Sequence, residues 1–133
     1  IPSLDFSFSG LKTSILYFIR DNVAVNPDFV QQNLNNICAS VEKRIATILL
    51  HKLEKAADAY GIKDVALAGG VSANTGLRQG LLALGEKKGW RCFIPAMQYC
   101  TDNAAMIAIA GYHKYLKGEF IGQDVAPLAR MPL

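Results

Sequence analysis

Hydrophobic positions change their period several times along the chain, and each change marks an element. Phe6-Ser7-Phe8-Ser9 alternates apolar and polar residues and stops at Gly10, which predicts a short strand with one buried face. Leu11, Ile15, Phe18 and Ile19 then recur at helical spacing, so a helix follows and should end near Asp21-Asn22. Asn26-Pro27 offers a cap and a proline at the first helical position. From there Phe29, Ile37, Val41, Ile45, Ile48, Leu49, Leu53, Ala56 and Tyr60 form the apolar stripe of one long helix that stops at Gly61, with Asn33 to Asn36 as the place for a break.

The middle of the chain reads as a strand, a helix and a strand. Val65-Ala66-Leu67-Ala68 is apolar on both faces, as a strand covered by helices on each side would be. After Gly69-Gly70, Leu77, Leu81, Leu82 and Leu84 give a helix its buried side. Arg78, Glu86, Lys87 and Lys88 are left for water, and Gly89 ends the helix. Arg91-Cys92-Phe93-Ile94 is the second strand. Such a βαβ unit has parallel strands and a right-handed crossover, so the loops 69–73 and 95–101 leave the same sheet edge. Asn74 and Asp102 should therefore be neighbours in space. The run from Ala104 to Ala110 is small or apolar all round and predicts a buried helix ending near Gly118, followed by an irregular arm from Gly122 to Leu133 with Pro127 and Pro132. The fold class is α/β: a parallel βαβ pair with several packed helices.

Composition narrows the picture without changing it. The chain has 133 residues, enough for one domain with a core, and 51% of them are hydrophobic, which excludes disorder. A formal net charge of +3 is compatible with a nucleic acid or an anionic cofactor but is concentrated in no Lys/Arg run. Cysteines 38, 92 and 100 are odd in number and form no C-x-x-C, so a reducing, cytoplasmic setting is expected. No apolar stretch approaches the roughly 20 residues of a membrane helix, and no basic-then-apolar leader opens the chain. It begins at Ile1-Pro2-Ser3 without an initiator Met, which suggests a piece of a longer protein.

Candidate chemistry gathers at the strand ends. In Leu67-Ala68-Gly69-Gly70-Val71-Ser72-Ala73-Asn74 an apolar run meets paired glycines, and Ser72 or Asn74 can cap the helix that follows. Such a turn brings backbone N–H groups close to an anion, although for an isolated Gly-Gly pair an empty βα turn is the favoured reading. Asp102 reads as the N-cap of the helix that follows. Lys12, in the first turn of its helix, is a solvated charge or the partner of an acid or phosphate. His51 has no His or Cys three or four residues away, and His113, Tyr112 and Tyr115 lie late on their helix; all four are assigned to packing or surface. No residue presents itself as a general base or a covalent nucleophile: Ser72 lacks the G-x-S-x-G pattern.

Three stretches taken in order carry a resemblance: Leu4-Asp5-Phe6-Ser7-Phe8-Ser9-Gly10-Leu11-Lys12-Thr13, Ala68-Gly69-Gly70-Val71-Ser72-Ala73-Asn74, and Tyr99-Cys100-Thr101-Asp102-Asn103-Ala104-Ala105-Met106-Ile107-Ala108. From about Leu4 to about Lys117 the chain resembles the carboxy-terminal part of the tRNA N6-adenosine threonylcarbamoyltransferase family, once labelled O-sialoglycoprotein endopeptidase or glycoprotease, in its bacterial form. The resemblance implies the second lobe of an actin-like (ASKHA, ribonuclease H-like) ATPase fold, with residues 1–133 as a carboxy-terminal lobe whose first lobe is absent. It implies transfer of a threonylcarbamoyl group from threonylcarbamoyl-AMP to N6 of adenosine 37 in tRNAs reading ANN codons. Gly69, Gly70 and Asn74 would contact the adenine nucleotide, and Asp102 would be a ligand of one divalent metal, iron or zinc. Implied partners are tRNA and the paralogous and ATPase proteins of the same pathway.

The chain also departs from the family. Two histidines in an H-x-x-x-H pattern hold the family's metal, and here the only histidines are 51 and 113. The isolated chain is therefore expected to be inactive, to hold metal weakly if at all, and to self-associate through the face its missing lobe would cover. Two alternatives remain at the level of sequence. A metal-dependent glycoprotein endopeptidase would need a hydrolytic site, and H-E-x-x-H is missing. A non-catalytic paralogous partner lobe would not be expected to keep Asp102.

Overall fold

The computed structural model describes residues 4–126 and residue 128. Among these, helix α1 spans Phe8–Val25 and helix α2 spans Phe29–Tyr60. Strand β1 is Asp64–Ala66, followed by a single 3-10 turn, Gly70–Ala73, and helix α3, Thr75–Lys88. Strand β2, Arg91–Phe93, a second 3-10 turn, Met97–Tyr99, and helix α4, Ala104–Leu116, complete the order. The expected arm from Gly122 has no helix or strand as far as residue 126, and Pro127 and Pro132, like Ile1-Pro2-Ser3, lie outside the described residues.

The strand expected at Phe6 to Ser9 is not formed. Phe8 is the first residue of α1, because it continues the Leu11, Ile15, Ile19 stripe one turn earlier, while among the described residues β1 and β2 pair with each other and no strand pairs with the four-residue alternation. The Phe6 and Phe8 rings stack at 5.7 Å instead. Nor does α1 stop at Asp21-Asn22. The Asn22 side chain donates to the Phe18 carbonyl at 2.8 Å, a bond made within helical geometry, and the helix runs on to Val25.

Helix α2 begins two residues later than expected. Asn26 closes a turn before it, accepting from Asp28 N through Oδ1 at 3.1 Å, so Pro27 lies in that turn and Asp28 becomes the flanking residue. No break occurs at Asn33 to Asn36, where the Asn33 side chain donates back to the Phe29 carbonyl at 2.9 Å and leaves the ladder intact. Helix α2 packs on both α1 and α3. Lys88 at the end of α3 reaches Glu54 at 2.9 Å and Asp58 at 2.8 Å on α2. These ion pairs hold the Glu54 carboxyl below its usual range and the Lys88 ammonium above its own.

The two strands are parallel, in the register Asp64 with Arg91, Val65 with Cys92 and Ala66 with Phe93. One further bond, Leu67 N to Phe93 O at 2.9 Å, continues the ladder beyond them. At the opposite end the Arg91 guanidinium pairs with both oxygens of Asp64, which lowers the Asp64 pKa and raises that of Arg91. Only Val65 of β1 is buried, so the strand is covered on one face and not on two. Ala57, Val65, Leu77, Leu81 and Cys100 form the core, centred between α2, β1 and α3. Leu82 points outward and is half exposed.

Helix α4 departs furthest from expectation. It forms in its predicted place, but every residue from 104 to 116 is exposed, Ile107 to 76%. A helix apolar all round needs a surface on each side, and no described element supplies one.

Candidate functional site

The carboxyl ends of β1 and β2 lead into two loops that the structure brings together. In the first, Gly69 has φ 80° and ψ 176°, a backbone conformation that only glycine adopts without strain, and this sets the direction in which the chain leaves β1. Gly70 has no such requirement. A side chain added at either glycine would meet nothing within 4 Å, so the space beside the turn is open. The turn closes through Ser72 N to Gly69 O at 2.9 Å and Asn74 N to Val71 O at 3.0 Å.

Asn74 is the cap of α3. Its Oδ1 accepts from Leu77 N at 2.7 Å and its Nδ2 donates to Glu42 Oε1, on α2, at 2.6 Å. The cap thus falls to Asn74 and not to Ser72, which is fully buried and whose hydroxyl has no hydrogen-bond partner among the described residues. The Glu42 carboxylate stands near the positive end of α3, where a negative charge is favoured. A cleft of about 570 Å³ runs between α1, α2 and this turn; its walls are largely apolar, with Glu42 and Asn74 among them.

The second loop, Pro95 to Asp102, carries Cys100, which is 2% exposed. Arg78 joins it to the first. From the first turn of α3, its Nε donates to the Ser72 carbonyl, and its Nη2 donates to the Pro95 carbonyl at 2.6 Å and to Cys100 Sγ at 3.0 Å. Cys100 Sγ in turn donates to the Ala96 carbonyl at 3.6 Å. Arg78 was expected in water and is instead half-buried. The signal for it was its spacing: four residues after the cap, on a helix whose side chains lean toward the N-terminus, it sits over the loop that precedes the helix.

Asp102 lies at the exposed end of the second loop. It is not the cap of α4; Asn103 is, accepting from Met106 N at 3.1 Å and donating to the Thr101 carbonyl at 2.8 Å. The cap assignment therefore moves one residue on and leaves the Asp102 carboxylate without that role. The structure links the two loops through Arg78, with no hydrogen bond between Asn74 and Asp102 themselves. Lys12, His51 and His113 are all exposed, the last with its ring 5.8 Å from that of Tyr112. Among the described residues no three His, Cys, Asp or Glu side chains come together as a metal site, so Asp102 does not make a metal centre by itself.

A family model for tRNA N6-adenosine threonylcarbamoyltransferase matches residues 1–109. The chain belongs to that family. All three motif stretches, which end at Ala108, fall inside the matched span, and the resemblance drawn from them is borne out.

Proteins named tRNA N6-adenosine threonylcarbamoyltransferase are similar along nearly the whole chain. That of Cytophaga hutchinsonii is 51% identical over 131 residues, 98% of this chain and 38% of its own length. That of Christiangramia forsetii is 52% identical over 130 residues, again 98% and 38%. That of Riemerella anatipestifer is 52% identical over 133 residues, 100% and 39%. The chain thus spans under two fifths of the length of these relatives. No helix among the described residues is long and apolar enough to cross a membrane.

Proposed function

We propose that this chain is the carboxy-terminal lobe of an actin-like, two-lobed enzyme that transfers a threonylcarbamoyl group from threonylcarbamoyl-AMP to N6 of adenosine 37 in tRNAs reading ANN codons. The observation that carries the reading is the pair of loops at the carboxyl ends of two parallel strands, tied to each other by Arg78, in a chain of this family. Ligands of open α/β sheets bind at such strand ends. In this reading the open space beside Gly69 and Gly70 receives the adenine nucleotide, and Asn74 reaches it from the start of α3. Asp102 supplies one ligand to an iron or zinc ion whose other ligands come from outside this chain.

This lobe binds and orients. The exocyclic amine of adenine is a weak nucleophile, and holding it at the acyl carbon is the contribution a rigid pair of loops can make. By itself the lobe does not carry out the transfer. The enzyme works in the cytoplasm with tRNA and with paralogous and ATPase protein partners.

The test is transfer of a labelled threonylcarbamoyl group to tRNA by the full-length protein containing this chain, with a glycoprotein incubated in parallel. Modified tRNA with intact glycoprotein is the expected result. Cleaved glycoprotein with unmodified tRNA would overturn the proposal.

A further inference from the structure

We infer that Arg78 is a positioning residue that makes the two strand-end loops one mechanical unit, and so fixes the nucleotide loop relative to the loop bearing Asp102. The inference deepens the function proposed above and rests on its reading of these loops as a substrate site. Each loop is short and leaves a three-residue strand, so the two-stranded ladder alone holds them weakly. Arg78 adds three bonds at that point: one to the Ser72 carbonyl on one side, and two, to the Pro95 carbonyl and Cys100 Sγ, on the other. The groups it reaches lie 6, 17 and 22 residues away in sequence, and α3 carries the guanidinium between them.

The planar fork matters as well as the charge. Nε carries one N–H and Nη2 two, all fixed in one plane, so one side chain can hold a carbonyl in each loop at once. A lysine carries its donors on a single nitrogen at the end of a flexible stem and presents no planar fork. Cys100 reports on the device, since the residue is buried and its thiol receives one of the three bonds. Cys92, on β2, is an internal control: it bonds to the Leu81 carbonyl at 3.7 Å and not to Arg78.

The experiment uses the full-length protein in wild-type form and as Arg78→Gln and Arg78→Lys, with iodoacetamide alkylation of each cysteine read by mass spectrometry. Steady-state transfer to tRNA is measured on the same samples. Both variants should alkylate Cys100 about tenfold faster or more, the scale expected for losing charged hydrogen bonds, with Cys92 at the wild-type rate. Their kcat at saturating threonylcarbamoyl-AMP should fall by about tenfold or more on the same grounds. Unchanged Cys100 labelling would overturn the inference, as would equal acceleration at Cys92, which would mean general loosening. Wild-type behaviour of Arg78→Lys would also overturn it, because charge without the fork would then suffice. So would loosened loops with an unchanged kcat. A wild-type enzyme that does not modify tRNA is a different failure: it removes the proposed function, while the alkylation ratios still report whether Arg78 couples the loops.

Discussion

Gly69 and Gly70 are adjacent, yet the structure gives them different reasons to be glycine, and alanine at each position separates those reasons. At Gly69 the backbone holds φ at 80° with ψ at 176°, and an added Cβ would touch nothing within 4 Å. The whole effect of Gly69→Ala is therefore backbone strain, about 1–3 kcal/mol of lost stability. At Gly70 φ is not positive and the surroundings are also open, so Gly70→Ala should leave stability unchanged or raise it by about 0.4–1 kcal/mol through the unfolded chain. With a urea dependence of about 2 kcal/mol per molar, Gly69→Ala lowers the unfolding midpoint by about 0.5–1.5 M and Gly70→Ala does not lower it. Trp90, the single tryptophan, sits between α3 and β2 and serves as the fluorescent probe. Calorimetry with an adenine nucleotide on the full-length protein should show the complementary loss for Gly70→Ala, because the methyl group would fill the space assigned to the ligand. Equal midpoints for wild type and Gly69→Ala would refute the conformational argument. Wild-type affinity in Gly70→Ala would remove that residue from the nucleotide site.

Other substitutions test the remaining assignments. Asp102→Ala should abolish transfer by the full-length enzyme with little change in its unfolding midpoint, since Asn103 and not Asp102 caps α4; persistent activity would end the metal-ligand proposal. Asn74→Ala should cost about 0.5–2 kcal/mol of stability through the lost cap, and should weaken nucleotide binding by about 1–3 kcal/mol. Asn74→Ser keeps a capping oxygen and should restore stability without restoring affinity, which calorimetry and urea unfolding read separately. The Lys88 pairs with Glu54 and Asp58 give a pH signature. The lowered Glu54 pKa means that its contribution is present above the ordinary carboxylate range and is lost as pH falls through the depressed value. The raised Lys88 pKa means a contribution present below the ordinary lysine range and lost as pH rises through the raised value. The midpoint difference between wild type and Lys88→Gln should thus be largest near neutral pH, and a difference constant from acid to alkali would exclude the linkage.

Local chemistry was legible where one residue type decides it, as glycine does at a helix end, whereas the Asn26-Pro27 helix start and the Asp102 cap each moved along the chain. Gly61 and Gly89 end their helices as read, Leu77 and Leu81 face the core, and the βαβ unit is parallel. The errors share a cause. Phe6 to Ser9 alternates over too few residues to separate a strand from the first turn of a helix, and only a pairing partner could decide. The composition of α4 asks for burial, but burial depends on an opposing surface that composition does not encode. Arg78 looked like any solvated helix charge because its partners are mostly backbone carbonyls, and its spacing from the cap was the one sign of them in the residue pattern. Of the site, the two loops and the candidate residues Gly69, Gly70, Asn74 and Asp102 could be named from the chain, whereas the Arg78 bridge and the bond from Asn74 to Glu42 depend on tertiary geometry.

The two loops and the guanidinium that joins them belong to one uninterrupted stretch, Asp64 to Asp102, so the chain can be cut in some places and not in others. A nick in the exposed Pro27-Asp28 turn would separate α1 from the rest and leave that stretch whole. A cut anywhere between Ser72 and Cys100 would put the acceptors of Arg78 on different polypeptides. Split, permuted or tagged versions of this chain should therefore be opened at the 26–28 turn, where a new pair of termini disturbs neither loop.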